Sequence, residues 1–496
     1  MNALFPTLYD AAAARVLDRR ATELLGGDAY VLMQRAGQAA WRTVLDLWPE
    51  ARGIDVVCGT GNNGGDGYVL ARMALESGRR VRVIHLPDRG PRTELAQRAC
   101  TEYLVAGGSV ELFPTELSRS DLIVDALFGI GLDRAPDAAL GGLIGAINES
   151  GCPVLALDVP SGLDADCGIA PGVAVYADCT LQFIVRHQGL YTGDALDYGG
   201  ELRLDPLDVP DEAFGGVKAA ATLLAPEHLA AWLYPRRRNS HKGESGRVFC
   251  IGGDHGGGGA VALCAEAALR SGAGLVSVAT RIEHVPAILA QRPEAMAFAA
   301  QHVDDVVERL EWADVVAIGP GLGQHPWGAM LLAGVLDSGV DAVIDADALN
   351  MLASAPQALP QAVLTPHPGE AARLLGIGAT DVQLDRFSAA RALAEAYRGV
   401  VVLKGAGSLV VAPGLRPCVI GAGNPGMSTG GMGDLLTGVI AALRAQGLSA
   451  FDAACAGALL HGAAGDAAAE EDGERGLLPS DLLPWLRRLA NPEMSD

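Results

Sequence analysis

The pattern that most constrains this chain is an alternation of short apolar runs with longer segments of helical spacing. In the first half the runs are IDVVCG, RRVRVIHL, SDLIVDALFG, PVLALDVPSG and DCTLQFI. In the second half they are GRVFCIGG, GLVSVAT, DVVAIGPG, DAVIDADAL, AVLTPHPGE and VVLKGAGSLVVA. Apolar runs of strand length separated by helical patterns are typical of parallel strands joined by crossover helices. The sequence therefore predicts an α/β fold.

The chain length predicts two domains. A single hydrophobic core rarely extends over 496 residues. After GELRLDPLDVPDEAFGG the alternation pauses, and it restarts beyond the basic, glycine-rich stretch YPRRRNSHKGESG. We therefore place the boundary between about Pro210 and Ala225, with one domain over residues 1–215 and a second over residues 225–490.

Composition excludes several classes of protein. The chain has 37 Lys and Arg against 59 Asp and Glu, and this net charge of −22 repels nucleic acid and anionic membranes. Its nine cysteines form no C-x-x-C pair and no zinc-binding spacing, so neither a disulfide framework nor a structural metal is expected. No apolar run reaches the roughly 18 residues that span a bilayer, and the N-terminus does not resemble a signal peptide. We expect a cytoplasmic protein that binds neither nucleic acid nor membranes.

A glycine-rich loop follows the first apolar run. In GTGNNGGDG, Gly59, Gly61 and Gly64 have the spacing G-x-G-x-x-G, and we predict a helix from about Tyr68. A strand, a glycine loop and a helix start together direct backbone N–H groups and a positive dipole end at a phosphate. The dinucleotide loop of a dehydrogenase is one interpretation. The polar residues among the glycines and the poor position of Asp88, the nearest candidate for a ribose-binding acid, argue against it.

Polar side chains follow two later strands of the same predicted sheet. Asp125 lies in VDALFGIGLDR, and Asp158 and Ser161 lie in LDVPSGLDAD. Because parallel strands end at one edge of a sheet, these residues should lie near the glycine loop. Their oxygens suit a hard monovalent or divalent cation, and a second carboxylate there can act as an acid or base. For either Asp taken alone, a helix N-cap or a turn is the better explanation.

The second half contains another glycine-rich helix start. In GNPGMSTGGMGDLLTGVIAAL, Gly430, Gly431 and Gly433 lie just ahead of Asp434 or beside it. Such a loop can close backbone amides around a phosphoryl group, and Asp434 can then accept a proton from an attacking hydroxyl. The alternative is a simple helix entry with Asp434 as its cap.

Other strand ends in the second half carry polar residues that suit a nucleotide site. TPHPGE supplies His367 and Glu370, and Lys404 precedes a predicted tight hairpin where its ammonium could meet a phosphate. IDADALNML adds Asp345, Asp347 and Asn350 after another strand. Each of these residues alone could be a surface charge, a helix cap or a satisfied polar group.

The first half resembles the NAD(P)H-hydrate epimerases. GTGNNGGDG, VDALFGIGLDR and LDVPSGLDAD carry the resemblance in this order, and LMQRAG extends it over most of residues 1–210. It implies a Rossmann-like three-layer domain in which Asn63, Asp125 and Ser161 bind K⁺ and Asp158 transfers a proton. Some members of the family carry a lysine after the second motif, but this chain has Asp133 and Arg134 there. The implied contacts of the hydrated nucleotide are Asn62, Asn63, Gly64, Gly65, Asp66, Gly129, Ile130, Gly131, Leu132, Asp133, Arg134, Ala135 and Asp158.

The second half resembles the NAD(P)H-hydrate dehydratase branch of the ribokinase-like fold. The motifs are SHKGESGRV, GPGLG, DADALN, TPHPGE, KGAGS and GGMGD, within residues 225–489. One departure is GGDHGGGGA, which has four consecutive glycines where the family usually has bulkier residues. The resemblance implies that Asp434 is the catalytic base. It implies hydrate contacts from Ala260, Gly323, His367 and Asp434, and adenine-nucleotide contacts from Lys404, Gly405, Ala406, Gly407, Ser408 and Gly433.

Together the two resemblances imply repair of hydrated NADH and NADPH. The first domain would interconvert the R and S hydrates, and the second would dehydrate the S form at the expense of ADP, with ATP as the alternative donor. K⁺ in the first domain, Mg²⁺ in the second and a homo-oligomeric state are also expected. Two other functions remain open at this point: a vitamin or sugar kinase whose product keeps the phosphate, and a first domain that only binds a nucleotide or a protein.

Overall fold

The computed structural model describes residues 5–117, 120–131 and 134–491. The chain divides into two compact units. One is Thr7–Ala221, and the other runs from Thr222 to the C-terminal end and includes residues 5–6. The two units are described separately below.

The first unit is an α/β unit with a parallel sheet. Its strands are β1 Thr7–Tyr9, β2 Gly53–Cys58, β3 Arg80–His85, β4 Ser109–Leu112, β5 Leu122–Ala126, β6 Val154–Leu157, β7 Cys179–Phe183, β8 Arg186–His187 and β9 Glu201–Asp205. Its helices are α1 Ala11–Leu24, α2 Tyr30–Leu47, α3 Asn62–Glu76, α4 Glu94–Val105, α5 Ala138–Glu149 and α6 Ala195–Tyr198. Seven of the strands form one sheet in the order β4-β3-β2-β5-β6-β7-β9, with every pair parallel.

Both faces of this sheet are buried, which gives the unit three layers. Along β5, Val124 packs into a core that includes Leu70 of α3. Its neighbour Ile123 packs into a second core, with Ile144 of α5. This alternation explains why the strand reads as a continuous apolar run. The strand order reverses between β2 and β5, so the loops after these two strands diverge and leave a crevice at the carboxyl edge of the sheet.

The second unit is also an α/β unit. Its strands are β10 Ala221–Leu224, which begins at the division between the units, β11 Arg247–Ile251, β12 Leu275–Thr280, β13 Met296–Ala299, β14 Val315–Ile318, β15 Ala342–Ile344, β16 Val363–Leu364, β17 Val400–Leu403, β18 Leu409–Val411 and β19 Cys418–Ile420. Its helices are α7 Gly258–Arg270, α8 Val285–Gln291, α9 Val307–Trp312, α10 Pro326–Ser338, α11 Ala346–Ser354, α12 Pro368–Leu375, α13 Ala379–Leu384, α14 Arg386–Tyr397, α15 Met432–Ala445, α16 Ala450–Asp472 and α17 Pro479–Leu489.

The strands of the second unit follow the order β13-β12-β11-β14-β15-β16-β17-β18-β19-β10. All neighbours are parallel except in the meander β17-β18-β19, which is antiparallel. The order reverses between β11 and β14, so a second crevice opens at the carboxyl ends of these strands. Helices α7, α15, α16 and α17 pack in one apolar core on one face of this sheet.

The glycine-rich stretches differ from the sequence prediction in one respect. We predicted a helix from about Tyr68, but α3 begins at Asn62. Gly64, Gly65 and Gly67 lie in its first turns, where the chain packs too closely for side chains: a Cβ at Gly64 would lie 2.2 Å from the carbonyl oxygen of Gly59. In the same way α7 begins at Gly258, inside the run of four glycines.

Candidate active sites

The crevice of the first unit is formed by the loops after β2 and β5. The backbone N–H of Gly59 donates to Ala126 O over 2.9 Å. A Cβ at Gly59 would lie 1.9 Å from the carbonyl oxygen of Leu127, so only glycine allows this approach. Helix α3 starts beside this contact with Gly61 as its N-cap, and no side chain caps it. Its free N–H groups are therefore available to an anionic ligand.

Asp125 is the most deeply buried acid of this crevice. It is 0% exposed, and burial raises its pKa to about 6 despite three hydrogen bonds. Oδ1 accepts from the hydroxyl of Ser161 over 2.6 Å and from Leu127 N over 3.2 Å, and Oδ2 accepts from Ser161 N over 2.8 Å. The structure thus joins Asp125 and Ser161 into one hydrogen-bonded pair.

Asn63 contributes an unsatisfied oxygen near the same strand ends. Its amide nitrogen donates to Leu157 O, at the end of β6, over 3.1 Å. Its Oδ1 is buried and has no hydrogen-bond partner. A buried carbonyl oxygen without a donor costs about 1–3 kcal/mol unless a water or a cation meets it.

Asp158 has a strained backbone at the end of β6. Its φ is +67°, a left-handed conformation that few residues other than glycine adopt. Oδ2 accepts from Ile130 N over 3.2 Å. A Cβ at Gly129 would lie 2.4 Å from this oxygen, so glycine is required there. The carboxylate is therefore held against the loop after β5.

Sequence reasoning missed His187. Its Nε2 lies 2.8 Å from Asp158 Oδ1, and the residue is 1% exposed. Its Nδ1 is buried and has no hydrogen-bond partner. The signal was weak, because His187 lies in no glycine motif and belongs to the two-residue strand β8.

The other predicted residues of the first site that the structure describes lie in α3 and in the loop after β5. Asn62 is exposed in the first turn of α3. Asp66, in the same helix, has its pKa raised well above the usual range, first by burial and then by Asp158. Leu132 and Asp133 lie outside the described residues. A cavity of about 340 Å³ is lined by Gly59, Arg89, Arg92, Gly131, Arg134 and Ala135, among others.

The second site centres on the N-terminus of α15. Asp434 lies in the first turn of this helix, and its pKa is raised to about 6 by burial first and then by Asp345, while Lys404 opposes the rise. The ammonium of Lys404 lies 2.7 Å from Asp345 Oδ1 and 3.8 Å from Glu370 Oε2. The hydroxyl of Thr437 donates to Asp345 Oδ2 over 2.9 Å.

Lys404 meets the glycine loop directly. A Cβ at Gly433 would lie 3.1 Å from Lys404 Nζ, and Gly431, the N-cap of α15, has a φ of +96°. Burial works against the ammonium, yet Asp345 and Glu370 raise the pKa of Lys404 above its ordinary value. A permanently charged lysine thus stands beside the start of α15, where the helix dipole also favours an anion.

Other predicted residues of the second site lie at neighbouring strand ends. His367 caps α12 through Nδ1, and its pKa is lowered, chiefly by burial. Gly323 follows β14 with a φ of +69°, and its N–H donates to Asp347 Oδ2 over 2.9 Å. Ala260 lies in the first turn of α7. Residues 404–408 connect β17 to β18, as predicted.

Arg386 is a second residue that sequence reasoning missed. It is 1% exposed, and burial lowers its pKa to about 10. One nitrogen lies 3.4 Å from the carbonyl oxygens of Leu403 and Lys404, and a Cβ at Gly405 would lie 2.8 Å from another. This guanidinium supports the start of the β17–β18 connection.

Within the described ranges, no group of three or more His, Cys, Asp or Glu side chains is arranged to hold a metal ion. In the same part of the chain, no helix is both long and apolar enough to cross a membrane.

Each half of the chain matches a known family model. Residues 29–189 match the model described as YjeF-related protein N-terminus. Residues 248–488 match the model described as NAD(P)H-hydrate dehydratase. Each match covers one of the two predicted sites.

Two curated relatives match nearly the whole chain. The bifunctional NAD(P)H-hydrate repair enzyme of Escherichia coli is 46% identical, with 99% of this chain and 95% of that protein covered. The enzyme of the same description from Coxiella burnetii is 49% identical, with 98% and 99% covered.

A solved structure is similar to the second half. A ribokinase-like superfamily protein from Enterococcus faecalis is 30% identical, with 54% of this chain and 96% of that chain covered and a TM-score of 0.50. The second unit therefore has the ribokinase-like fold, as the sequence predicted, and the first has the predicted Rossmann-like fold. Because similarity to the curated enzymes extends over both units, the chain belongs to the family of bifunctional NAD(P)H-hydrate repair enzymes.

Proposed function

We propose that this chain restores hydrated NADH and NADPH, with one activity in each unit. The first unit interconverts the R and S epimers at C6 of the hydrated ring. The second unit dehydrates the S epimer at the expense of a nucleotide phosphate. The observation that carries the proposal is the geometry at α15, where an acid with a raised pKa stands beside a partly buried lysine and a glycine-rich helix start.

In the second unit Asp434 takes the proton of the C6 hydroxyl while the hydroxyl oxygen attacks the terminal phosphorus of ADP, and AMP leaves. The lone pair of ring N1 then expels phosphate from C6, and loss of a proton from C5 restores the dihydropyridine. A pKa of about 6 supports the role of Asp434, because the carboxylate is then largely ionised at neutral pH yet more basic than an ordinary Asp.

Lys404 and Gly433 serve the donor phosphates in this proposal. The ammonium of Lys404 is held by Asp345 at the start of α15, where it can neutralise charge on a transferring phosphoryl group. Gly433 leaves room for this approach because any side chain would meet Lys404 Nζ. Residues 404–408 are proposed to bind the adenine nucleotide, and Ala260, Gly323 and His367 the hydrate.

ADP as donor and Mg²⁺ as its counter-ion belong to the proposal. A nucleotide-dependent dehydratase can use either donor, and we propose ADP, with ATP as the alternative. When bound, Mg²⁺ neutralises charge on the donor phosphates. Asp345, whose Oδ2 would lie 3.4 Å from a Cβ at Gly433, is already bonded to Lys404 and Thr437. We therefore assign the Mg²⁺ ligands chiefly to the nucleotide phosphates, as is common for this ion.

In the first unit Asp158 is proposed to move the proton at the C6 oxygen. Its carboxylate is held against the loop that contains Gly129 and Ile130, both proposed to contact the hydrate. Asn62 to Asp66 and residues 131–135 complete the proposed pocket. The arginines in the adjoining cavity give this strongly acidic chain a local positive charge that suits the substrate phosphates.

The residues proposed to hold K⁺ fit a hard cation. Asn63 Oδ1 is buried and lacks a partner, and the oxygens of Asp125 and Ser161 lie at a neighbouring strand end. When bound, K⁺ supplies a fixed positive charge beside the acids of the crevice.

Product analysis separates this proposal from the kinase alternative. The purified chain is incubated with S hydrate, Mg²⁺ and either ADP or ATP, and phosphate, nucleotide and NADH are quantified. We expect one phosphate and one NADH for each AMP formed from ADP. A stable phosphorylated hydrate without released phosphate would contradict the dehydratase and support a kinase. The homo-oligomeric state and cytoplasmic location stay predictions.

A further inference from the structure

We propose that His187 is a positioning residue for Asp158 in the reaction of the first unit, an inference that rests on the proposed epimerase function. It fixes one carboxylate oxygen so that the other faces the substrate loop. None of the motifs that identify the site contains this histidine.

The two oxygens of Asp158 have different environments. Oδ1 lies 2.8 Å from Nε2 of His187, whose side chain is 2% exposed, so this hydrogen bond is sheltered from water. Oδ2 receives one longer bond, 3.2 Å from Ile130 N, and borders Gly129. Because Oδ1 is committed to the histidine, Oδ2 is the oxygen that can exchange a proton with a ligand on the loop after β5.

The surroundings of the ring assign its tautomer. Nδ1 is buried and has no hydrogen-bond partner. A carboxylate oxygen accepts hydrogen bonds, so the ring nitrogen that faces it carries a hydrogen. We therefore assign to Nε2 the hydrogen that the ring donates to Asp158. In this state His187 orients the acid and does not carry the proton itself.

Hydrogen bonds hold the backbone of His187 as well as its ring. Its N–H donates to Oε1 of Gln182 over 2.8 Å, and the Gln182 amide nitrogen in turn donates to the hydroxyl of Tyr191 over 3.1 Å. Gln182 is 0% exposed. Asp166, a second carboxylate near the ring, accepts from Ala11 N over 2.6 Å. This scaffold places the imidazole against an acid whose own backbone is strained.

The experiment measures epimerisation in the full chain. Purified R hydrate is supplied with ADP and Mg²⁺, so that the unaltered second unit removes S hydrate as it forms. When the second unit dehydrates S hydrate faster than the first unit forms it, the rate of NADH recovery reports epimerisation by the first unit. The variants are His187→Leu, which removes the donor, and His187→Gln, whose amide can donate to the same oxygen. Thr180→Val is the matched control, because it also removes a buried hydrogen bond in the first unit, from the hydroxyl to Gly199 O.

We expect His187→Leu to lower kcat about tenfold or more with KM nearly unchanged, because the misplaced acid weakens proton transfer and not binding. His187→Gln should recover most of kcat with the wild-type pH profile, and Thr180→Val should match wild type. If His187→Leu does not fold, His187→Asn replaces it, since the shorter amide cannot reach Asp158.

Three results would contradict the inference. Wild-type kcat in His187→Leu would show that Asp158 needs no partner. A loss confined to KM would assign the histidine to binding. A His187→Gln variant as slow as His187→Leu, with an altered pH profile, would show that the ring carries the proton. A wild-type chain no faster than spontaneous epimerisation would instead refute the epimerase function, and the inference with it.

Discussion

The raised pKa of Asp434 makes the dehydratase rate depend on pH in a defined way. A general base must be ionised, so kcat/KM should fall as pH falls through the pKa of about 6 in the free protein. The ionised fraction is about ten-elevenths at pH 7 and about one-eleventh at pH 5, which predicts a roughly tenfold loss of kcat/KM between these values. The assay follows NADH formation from S hydrate with both substrates well below their KM, so that the free protein is the species that titrates, buffered at intervals from pH 5 to pH 8.

Two variants distinguish the titration of Asp434 from that of the nucleotide, whose phosphate also ionises in this pH range. Asp345 raises the pKa of Asp434 and Lys404 lowers it. Asp345→Asn should therefore move the acid limb of the profile to lower pH, and Lys404→Met should move it to higher pH, whatever activity remains. A limb that stays at one pH in both variants belongs to the nucleotide or the substrate. That result would refute Asp434 as the titrating base.

Three other predictions concern stability and the first site. Asp434→Asn should raise the free energy of unfolding at pH 7 by up to about 3 kcal/mol, because a carboxylate whose folded pKa is raised from 3.8 to about 6 penalises the folded state once ionised. The gain should fall below about 1 kcal/mol near pH 4 in urea titrations, and an equal gain at both pH values would contradict this explanation. Gly129→Ala should abolish epimerisation but spare dehydration of S hydrate, since the new Cβ would meet Asp158 Oδ2 at 2.4 Å. The control is Gly142→Ala in α5, where the new Cβ would have no neighbouring atom within 4 Å, and this variant should be fully active. Asn63→Leu should remove any acceleration of epimerisation by K⁺ over tetramethylammonium, and retained K⁺ activation would exclude the amide as a ligand.

The sequence predicted the two α/β folds because their buried strands are continuous apolar runs that end in glycine or acid. Strand ends in one sheet share an edge, so Asp125, Asp158 and Ser161 could be assigned to one site before any coordinates. The helix start at Asn62 was missed because glycine is ordinarily a loop signal. Here Gly64 allows the helix to pack against Gly59.

The contacts around Asp434 and Asp158 could not be predicted from the sequence. Lys404 pairs with Asp345 across 59 residues, and His187 meets Asp158 across 29 residues. No local spacing encodes such pairs, because they depend on which strands become neighbours in the sheet. Neither Lys404 nor a buried histidine has a pattern that distinguishes an active-site role from a surface or structural one.

The most direct measurement follows the near-ultraviolet absorbance of reduced nicotinamide in a purified mixture of R and S hydrates. Wild type, Asp434→Asn and Asp158→Asn are compared with ADP, Mg²⁺ and K⁺, over a time too short for spontaneous epimerisation. We predict full recovery of absorbance with wild type, recovery that stops near the S fraction with Asp158→Asn, and none with Asp434→Asn. Full and equally fast recovery with Asp434→Asn, or no recovery with wild type and either ADP or ATP, would contradict the assignment of hydrate repair to these two sites.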